Sequence, residues 1–161
     1  MENITAVYPG TFDPITNGHL DLIERASALF SKVIATVAVN TSKAPLFTKE
    51  ERKDMIENVT SGFDNVEVDA FDGLLVEFAK KKQASVIIRG LRAISDFEYE
   101  FQMSLTNRKL APGINTIFLM PNEKYTYLNS SLIRELAKFN ADITDFVPAY
   151  VLEKLKGKNS R

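Results

Sequence analysis

The sequence predicts an α/β fold, a three-layer doubly wound sandwich built on a five-stranded parallel sheet. Three observations lead there. Runs rich in Val, Ile and Phe recur at residues 4–7, 33–39, 66–71, 86–88 and 116–120, and they are near-continuously apolar, as strands covered on both faces are. Between them, apolar residues return at helical spacing. Strand and helix therefore alternate without repeat, linker or low-complexity break, which implies parallel strands joined by right-handed crossovers. In such sheets ligands gather at the carboxyl ends of the strands, where strand order reverses.

The elements follow in order. After the first strand, residues 8–19 (YPGTFDPITNGH) form a loop rich in Gly, Pro, Thr and Asn. An amphipathic helix then spans 20–30, with Leu22, Ile23, Ala26, Leu29 and Phe30 on one face. Thr48 and Glu51 have capping-box spacing ahead of a second helix with Met55, Ile56 and Val59 as its stripe. A third helix, 74–82, brings Leu75, Phe78 and Ala79 together. Ser95 and Glu98 repeat the capping-box spacing before Phe97, Phe101 and Leu105 in a fourth. Two more are expected near 131–139 and 148–155, where Pro148 suits a first helical turn. Residues 1–156 form one domain on this reading, and polar residues 157–161 a disordered tail. The arrangement is Rossmann-like.

Composition narrows the function classes. Hydrophobic and charged contents of 45% and 25% are ordinary for a globular protein. A net charge of −1 gives no global basic field, so no nucleic-acid partner is expected. The chain has no cysteine, which removes disulfides, thiolate metal sites and a cysteine nucleophile. With no secretion-like start and no membrane-length apolar run, a cytoplasmic protein without membrane contact is expected.

Four constellations carry chemistry. Thr11 with Thr16-Asn17-Gly18-His19 stands where a strand turns into a helix, and a helix start offers free N–H groups to phosphate. His19 or the Thr11 hydroxyl could stabilise charge on phosphate oxygens; a plain helix cap with a satisfied histidine is the alternative. Neither GxGxxG nor GxxxxGK[ST] occurs, so the site is neither a dinucleotide fingerprint nor a P-loop. Arg89-Gly90-Leu91-Arg92 puts two fork-shaped cations after the fourth strand, or leaves them solvated. Tyr99 and Glu100, a turn onward, could orient an arginine or a ribose, or be surface residues. Thr41-Ser42-Lys43 could bring a point charge to phosphate, or be an exposed loop. Residues 128–134 (LNSSLIR) could cap a helix while offering Asn129, Ser130 and Ser131 to an anion. All four groups fall after strand carboxyl ends, on one rim. Independent caps have no reason to collect Thr, His, Lys, Arg and Ser there, so a polyphosphate site is the joint reading.

The same residues carry a resemblance. Thr16–His19 as T-x-G-H is similar to the nucleotidylyltransferase motif, a variant of the H-x-G-H of class I aminoacyl-tRNA synthetases. YPGTFDPITNGH, SKAPLFTKEER, IIRGLRAISDFEYEFQM, FLMP and SSL together resemble the phosphopantetheine adenylyltransferase family, in order over nearly the whole chain. That resemblance implies transfer of the adenylyl group of ATP to 4′-phosphopantetheine, giving dephospho-coenzyme A and pyrophosphate, with Mg²⁺ carried on the ATP phosphates and no protein metal ligands. It further implies a homohexamer.

Carried over by position, the resemblance makes His19, Lys43 and Arg92 the catalytic residues. Thr11, Phe12, His19, Gly90, Leu91, Arg92 and Glu100 would meet ATP. So would Tyr125, Thr126, Tyr127, Leu128, Asn129, Ser130 and Ser131. Thr11, Lys43, Leu75, Arg89 and Asn107 would hold phosphopantetheine. One position departs from the family's I-S-S-[ST] pattern: Asn129 stands where a serine is usual.

The chemistry implied needs no general base, because a phosphate monoester is already largely ionised at neutral pH (second pKa about 6). Positioning and charge stabilisation remain for the protein. Rival readings are an enzyme with another acceptor, such as nicotinamide mononucleotide, or with CTP; a silent nucleotide-binding regulatory domain; and a flavodoxin-like electron carrier. Pyrophosphate release separates the first two from the adenylyl-transfer reading, and an absorption spectrum the third.

Overall fold

Five parallel strands form one sheet in the order β3-β2-β1-β4-β5. They are β1 (Thr5–Gly10), β2 (Lys32–Ala38), β3 (Val66–Phe71), β4 (Val86–Gly90) and β5 (Asn115–Leu119). The helices are α1 (Asn17–Leu29), α2 (Lys49–Thr60), α3 (Leu75–Lys81), α4 (Ile94–Leu110), α5 (Ser130–Lys138) and α6 (Ala149–Asn159), with a 3-10 turn at Glu123–Tyr125. The computed structural model describes residues 3–39 and 44–160, so Thr41, Ser42 and Lys43 lie outside the described residues.

The apolar strands explain the layers. Successive strand side chains point to opposite faces. Ala6 and Tyr8 enter one core while Val7, between them, enters the other; Val33, Ala35 and Val37 divide from Ile34 in the same way, and Val86 and Ile88 from Ile87. The larger core is closed by α1, α2, α5 and α6, and the smaller by α3 and the turn after α4. The chain builds β1, β2 and β3 to one side, then returns to place β4 and β5 on the other. The switch point therefore lies between the carboxyl ends of β1 and β4.

Several bounds differ from the sequence expectation. β1 and β4 each run on, because Gly10 still pairs with Val37 and Gly90 with Leu119. The first helix begins at Asn17, three residues earlier than expected, because Thr16 caps it. Its Leu29 faces solvent, leaving Leu22, Ile23 and Ala26 to bury the face. Pro148 is the N-cap of α6 rather than its first residue.

Three corrections are larger. The Ser95–Glu98 capping box does not form: Ala93 is the N-cap of α4 and Ser95 lies within the helix. Phe97, Phe101 and Leu105 are not core either. About half of each is exposed, at 48%, 48% and 47%. The side of α4 turned to the sheet carries Glu100 and Asn107 instead, because it meets Arg89 rather than an apolar surface. Residues 157–159 are helical rather than part of the expected tail. α6 continues through Gly157, Lys158 and Asn159, where Lys158 reaches Glu51 at 2.9 Å and stands over the Phe47 ring. Among the described residues, no helix is long and apolar enough to cross a membrane.

Candidate active site

The carboxyl end of β1 begins the site. Phe12 takes a left-handed backbone angle, φ 48°, and its ring is buried edge-on against Tyr8 and His19, with centroids 5.5 and 5.1 Å away. The next residue, Asp13, is buried and ties down a second loop: its oxygens accept from the Leu46 and Phe47 N–H groups, both at 2.9 Å. Two arginines brace the same turn. Arg52 of α2, only 4% exposed, donates from Nη1 to the Thr11 carbonyl at 2.9 Å, and burial lowers its pKa against the pull of Asp13. Arg134 of α5 donates to the Asp13 carbonyl at 2.6 Å.

The start of α1 presents the histidine. Thr16 caps the helix and His19 is its third residue. The His19 N–H donates to Thr16 Oγ1 at 3.4 Å, while the Thr16 N–H donates to His19 Nδ1 at 3.0 Å. This is a capping box with imidazole where Glu or Gln is usual. Burial, then the Arg92 charge, lowers the His19 pKa to about 4. Gly18 leaves room for the 3-10 turn: a Cβ there would sit 3.4 Å from Cβ of Tyr125.

The carboxyl end of β4 supplies the cations. Arg89 binds Glu100 in a fork, Nε to Oε2 at 2.8 Å and Nη2 to Oε1 at 2.7 Å, and these bonds raise its pKa. Burial pushes the Tyr8 phenol well above its usual range, against the lowering pull of Arg89 and Arg92. Arg92 is more open; it donates to the Leu128 carbonyl and stands 3.7 Å from Asp96. At Gly90 a Cβ would come 2.8 Å from Leu22 Cδ1 of α1, so that leucine side chain would have to shift to admit one. On the far side, the Asn129 side chain caps α5 by accepting from Leu132 N–H, and Ser130 donates to the Pro14 carbonyl.

Among the described residues, three adjoining cavities meet around the ends of β1 and β4. The first, about 180 Å³, lies between the ends of β1 and β4 and is lined by Tyr8, Thr16, His19, Arg89 and Arg92 among others. The second, about 260 Å³, is lined by Thr11, Arg52, Ser130, Ser131 and Arg134, and again by His19 and Arg92. The third, about 130 Å³, lies beyond Arg89 and Glu100, with Leu75 and Asn107 in its wall. His19 and Arg92 thus form the common wall of the first two, and Arg89 and Glu100 that of the first and third.

Most of the expected site residues meet here. Thr11, Phe12, His19, Arg92, Asn129, Ser130 and Ser131 line the second cavity, though the Phe12 ring is packed beneath His19. Gly90 and Leu128 line the first. Leu75, Arg89, Glu100 and Asn107 come together around the third. Leu91 lines none, its N–H being bonded to the Leu119 carbonyl, and neither do Tyr125, Thr126 and Tyr127. Tyr127 packs edge-on against Phe146. Sequence reasoning missed Asp13, Arg52 and Arg134. Arg52 and Arg134 sit inside quoted motifs, TKEER and SSLIR, and a charged residue on the apolar side of a helix was the available signal.

Fold and site define the class. The cytidylyltransferase-like family model matches residues 7–136, most of the chain, which belongs to that class. Two solved structures share the fold: one from Vibrio parahaemolyticus, described as a candidate nicotinate-nucleotide adenylyltransferase (TM-score 0.72, 19% identity, covering 96% of this chain and 99% of that one), and a lipopolysaccharide core biosynthesis protein from Thermoplasma volcanium GSS1 (TM-score 0.53, 20% identity, 74% and 96%). Sequence relatives are nearer. Proteins of Alkaliphilus metalliredigens, Caldanaerobacter subterraneus subsp. tengcongensis and Nitrosomonas eutropha, each named phosphopantetheine adenylyltransferase, are 54%, 56% and 55% identical over 95%, 95% and 94% of this chain and 98%, 96% and 93% of their own. The chain belongs to the phosphopantetheine adenylyltransferase family.

Proposed function

We infer that this chain transfers the adenylyl group of ATP to 4′-phosphopantetheine, giving dephospho-coenzyme A and pyrophosphate. Membership of the family supports the reaction. The single observation that carries the site assignment is the shared wall: His19 and Arg92 stand between two cavities rich in N–H, hydroxyl and guanidinium groups. An α-phosphate at that wall would have its nucleoside on one side and its β- and γ-phosphates on the other. Ser130, Ser131, Arg52 and Arg134 suit the anionic side, and the third cavity suits the pantetheine arm with Leu75 and Asn107.

The reaction is one displacement. An oxygen of the phosphopantetheine phosphate forms a bond to the α-phosphorus of ATP, the bond from that phosphorus to the α–β bridging oxygen breaks, and pyrophosphate leaves with that electron pair. No proton must be removed from the nucleophile. His19 and Arg92 stabilise charge on the oxygens of the transferring group, and Lys43 is assigned the same work from its sequence position. Arg89, held by Glu100, presents a fixed cation to the acceptor phosphate.

The carboxylates at the rim are engaged already: Glu100 with Arg89, Asp96 beside Arg92, and Asp13 with two backbone N–H groups. Among the described residues no group of three His, Cys, Asp or Glu gathers. Such a rim would leave a Mg²⁺ to ATP oxygens and water, where it would supply charge neutralisation. EDTA is therefore expected to stop turnover while leaving the melting temperature of the ligand-free protein unchanged.

The reading includes a homohexamer, for which the exposed apolar residues of α4 offer a surface where copies could meet, and a cytoplasmic location. Neither nucleic acid nor membrane enters it. The test is pyrophosphate release with ATP, Mg²⁺ and phosphopantetheine. Release with nicotinamide mononucleotide instead, or with CTP but not ATP, would overturn it.

A further inference from the structure

The chain has one histidine, and its hydrogen bonds decide which ring nitrogen carries a proton. The Thr16 N–H, 3.0 Å from His19 Nδ1, can only donate. A ring nitrogen that accepts a hydrogen bond is bare, so Nδ1 holds no proton and the ring hydrogen is on Nε2. The Thr16 hydroxyl, 3.1 Å from the same nitrogen, is free to rotate and agrees with that assignment. A proton added to Nδ1 would set two donors against each other. It would break the bond that closes the first turn of α1. Thr16 is 1% exposed, so water is poorly placed to replace that bond.

The surroundings oppose a positive ring as well. The β4 loop brings Arg92, α2 brings Arg52 and α5 brings Arg134 to the cavity walls that His19 shares. Facing carboxylates are committed elsewhere: Glu100 to Arg89, Asp96 beside Arg92, and Asp13 to backbone N–H groups and Arg134. From β1 comes the Tyr8 phenol, which burial keeps protonated. On α1 itself, Asp21 is paired with Arg25 at 2.9 Å. The helix N-terminus adds its own positive potential. The lowered pKa of His19 points the same way.

We propose that His19 works as a neutral imidazole donating from Nε2–H, its tautomer locked by the backbone N–H of Thr16, which makes Thr16 a positioning residue. The inference deepens the adenylyl-transfer reading and rests on it only for the oxygen that receives the bond. It separates two roles that a histidine could combine. The positive charge facing the transferring group comes from Arg92 and from Lys43 as assigned above, and His19 supplies direction. His19 therefore needs no proton from solvent in any turn of the reaction.

A single histidine makes the test direct. In ¹⁵N-histidine-labelled wild-type protein, long-range proton–nitrogen correlations are followed from about pH 8 to pH 5, the range in which an ordinary histidine changes charge. The expected result is one neutral, Nε2-protonated pattern with no titration midpoint in that range. An Nδ1-protonated pattern, or an imidazolium pattern growing in with a midpoint between those limits, overturns the proposal. Either failure leaves pyrophosphate release intact, so the two readings fail separately. A second arm compares variants. Gln at this position completes a capping box with its oxygen and offers an N–H from the place of Nε2. His19→Gln is expected to keep at least about tenfold more kcat than His19→Ala, with similar KM for ATP. Equal kcat in two folded variants overturns the donor role.

Discussion

The first turns of α1 and α2 are built alike. Thr16 and Thr48 are the N-caps, and the third residue of each helix, His19 or Glu51, accepts from the cap's backbone N–H at 3.0 or 2.8 Å. What the third residue has left over differs. Glu51 spends the same oxygen on Lys158 at 2.9 Å, at an exposed surface where α6 crosses α2. His19 spends one nitrogen on the cap and keeps the other for the cavities. A carboxylate in that place would meet phosphate with like charge. An imidazole meets it with a donor, held by a motif that elsewhere in this chain serves only stability.

The largest expected effect breaks that contrast at its active end. His19→Ala should lower kcat by roughly 10²–10³-fold, the usual consequence of deleting one preorganised donor, while Glu51→Ala leaves kcat within about twofold. Pyrophosphate release with both variants decides it, and equal losses would mean that both boxes serve only the fold. Acid should separate the two next. The folded-state pKa of His19 is depressed from 6.5 to about 4, so the unfolded chain binds the proton first. The stability concerned is fully present above pH 6.5 and is lost as pH falls toward about 4. Allowing for the ring's partly open edge, the loss is on the order of 2 kcal/mol. Urea unfolding across that range should show it in the wild type and not in His19→Gln.

Smaller effects sharpen the comparison from the structural side. Thr48→Ala removes a cap and should cost about 1 kcal/mol in urea unfolding, with kcat unchanged. Glu51→Gln keeps the returning bond and loses only the exposed ion pair with Lys158. A change of about 0.5 kcal/mol or less is expected, shrinking further in high salt.

The strands were legible because a sheet covered on both faces needs apolar residues at nearly every position, and Val33 to Val37 and Val86 to Ile88 are short runs of that kind, rich in β-branched residues. The Thr48 box was legible for the same kind of reason, since its residue types and spacing are specific. Ser95 and Glu98 have that spacing too, yet the chain enters α4 at Ile94, and Phe97, Phe101 and Leu105 stay outside the core of one chain. Periodicity shows that a helix has an apolar face and cannot show what lies against it. The site was legible where one rim gathered rare residue types, as with His19, Arg89 and Arg92. Asp13, Arg52 and Arg134 were not, because each is tied to the β1–α1 turn or its neighbouring loop by bonds to backbone groups distant in sequence, which residue type and spacing do not reveal.

The partition formed by His19 and Arg92 also bears on inhibition. A ligand confined to one chamber must overcome the full loss of translational freedom for itself, and so must a second ligand in the next. A compound that spans the partition, with an aromatic base on one side and a compact anion on the other, makes its second contact at the local concentration set by a short tether. Such a molecule gains avidity over its separate halves without any new group on the protein, provided its linker is narrow enough to pass between an imidazole and a guanidinium.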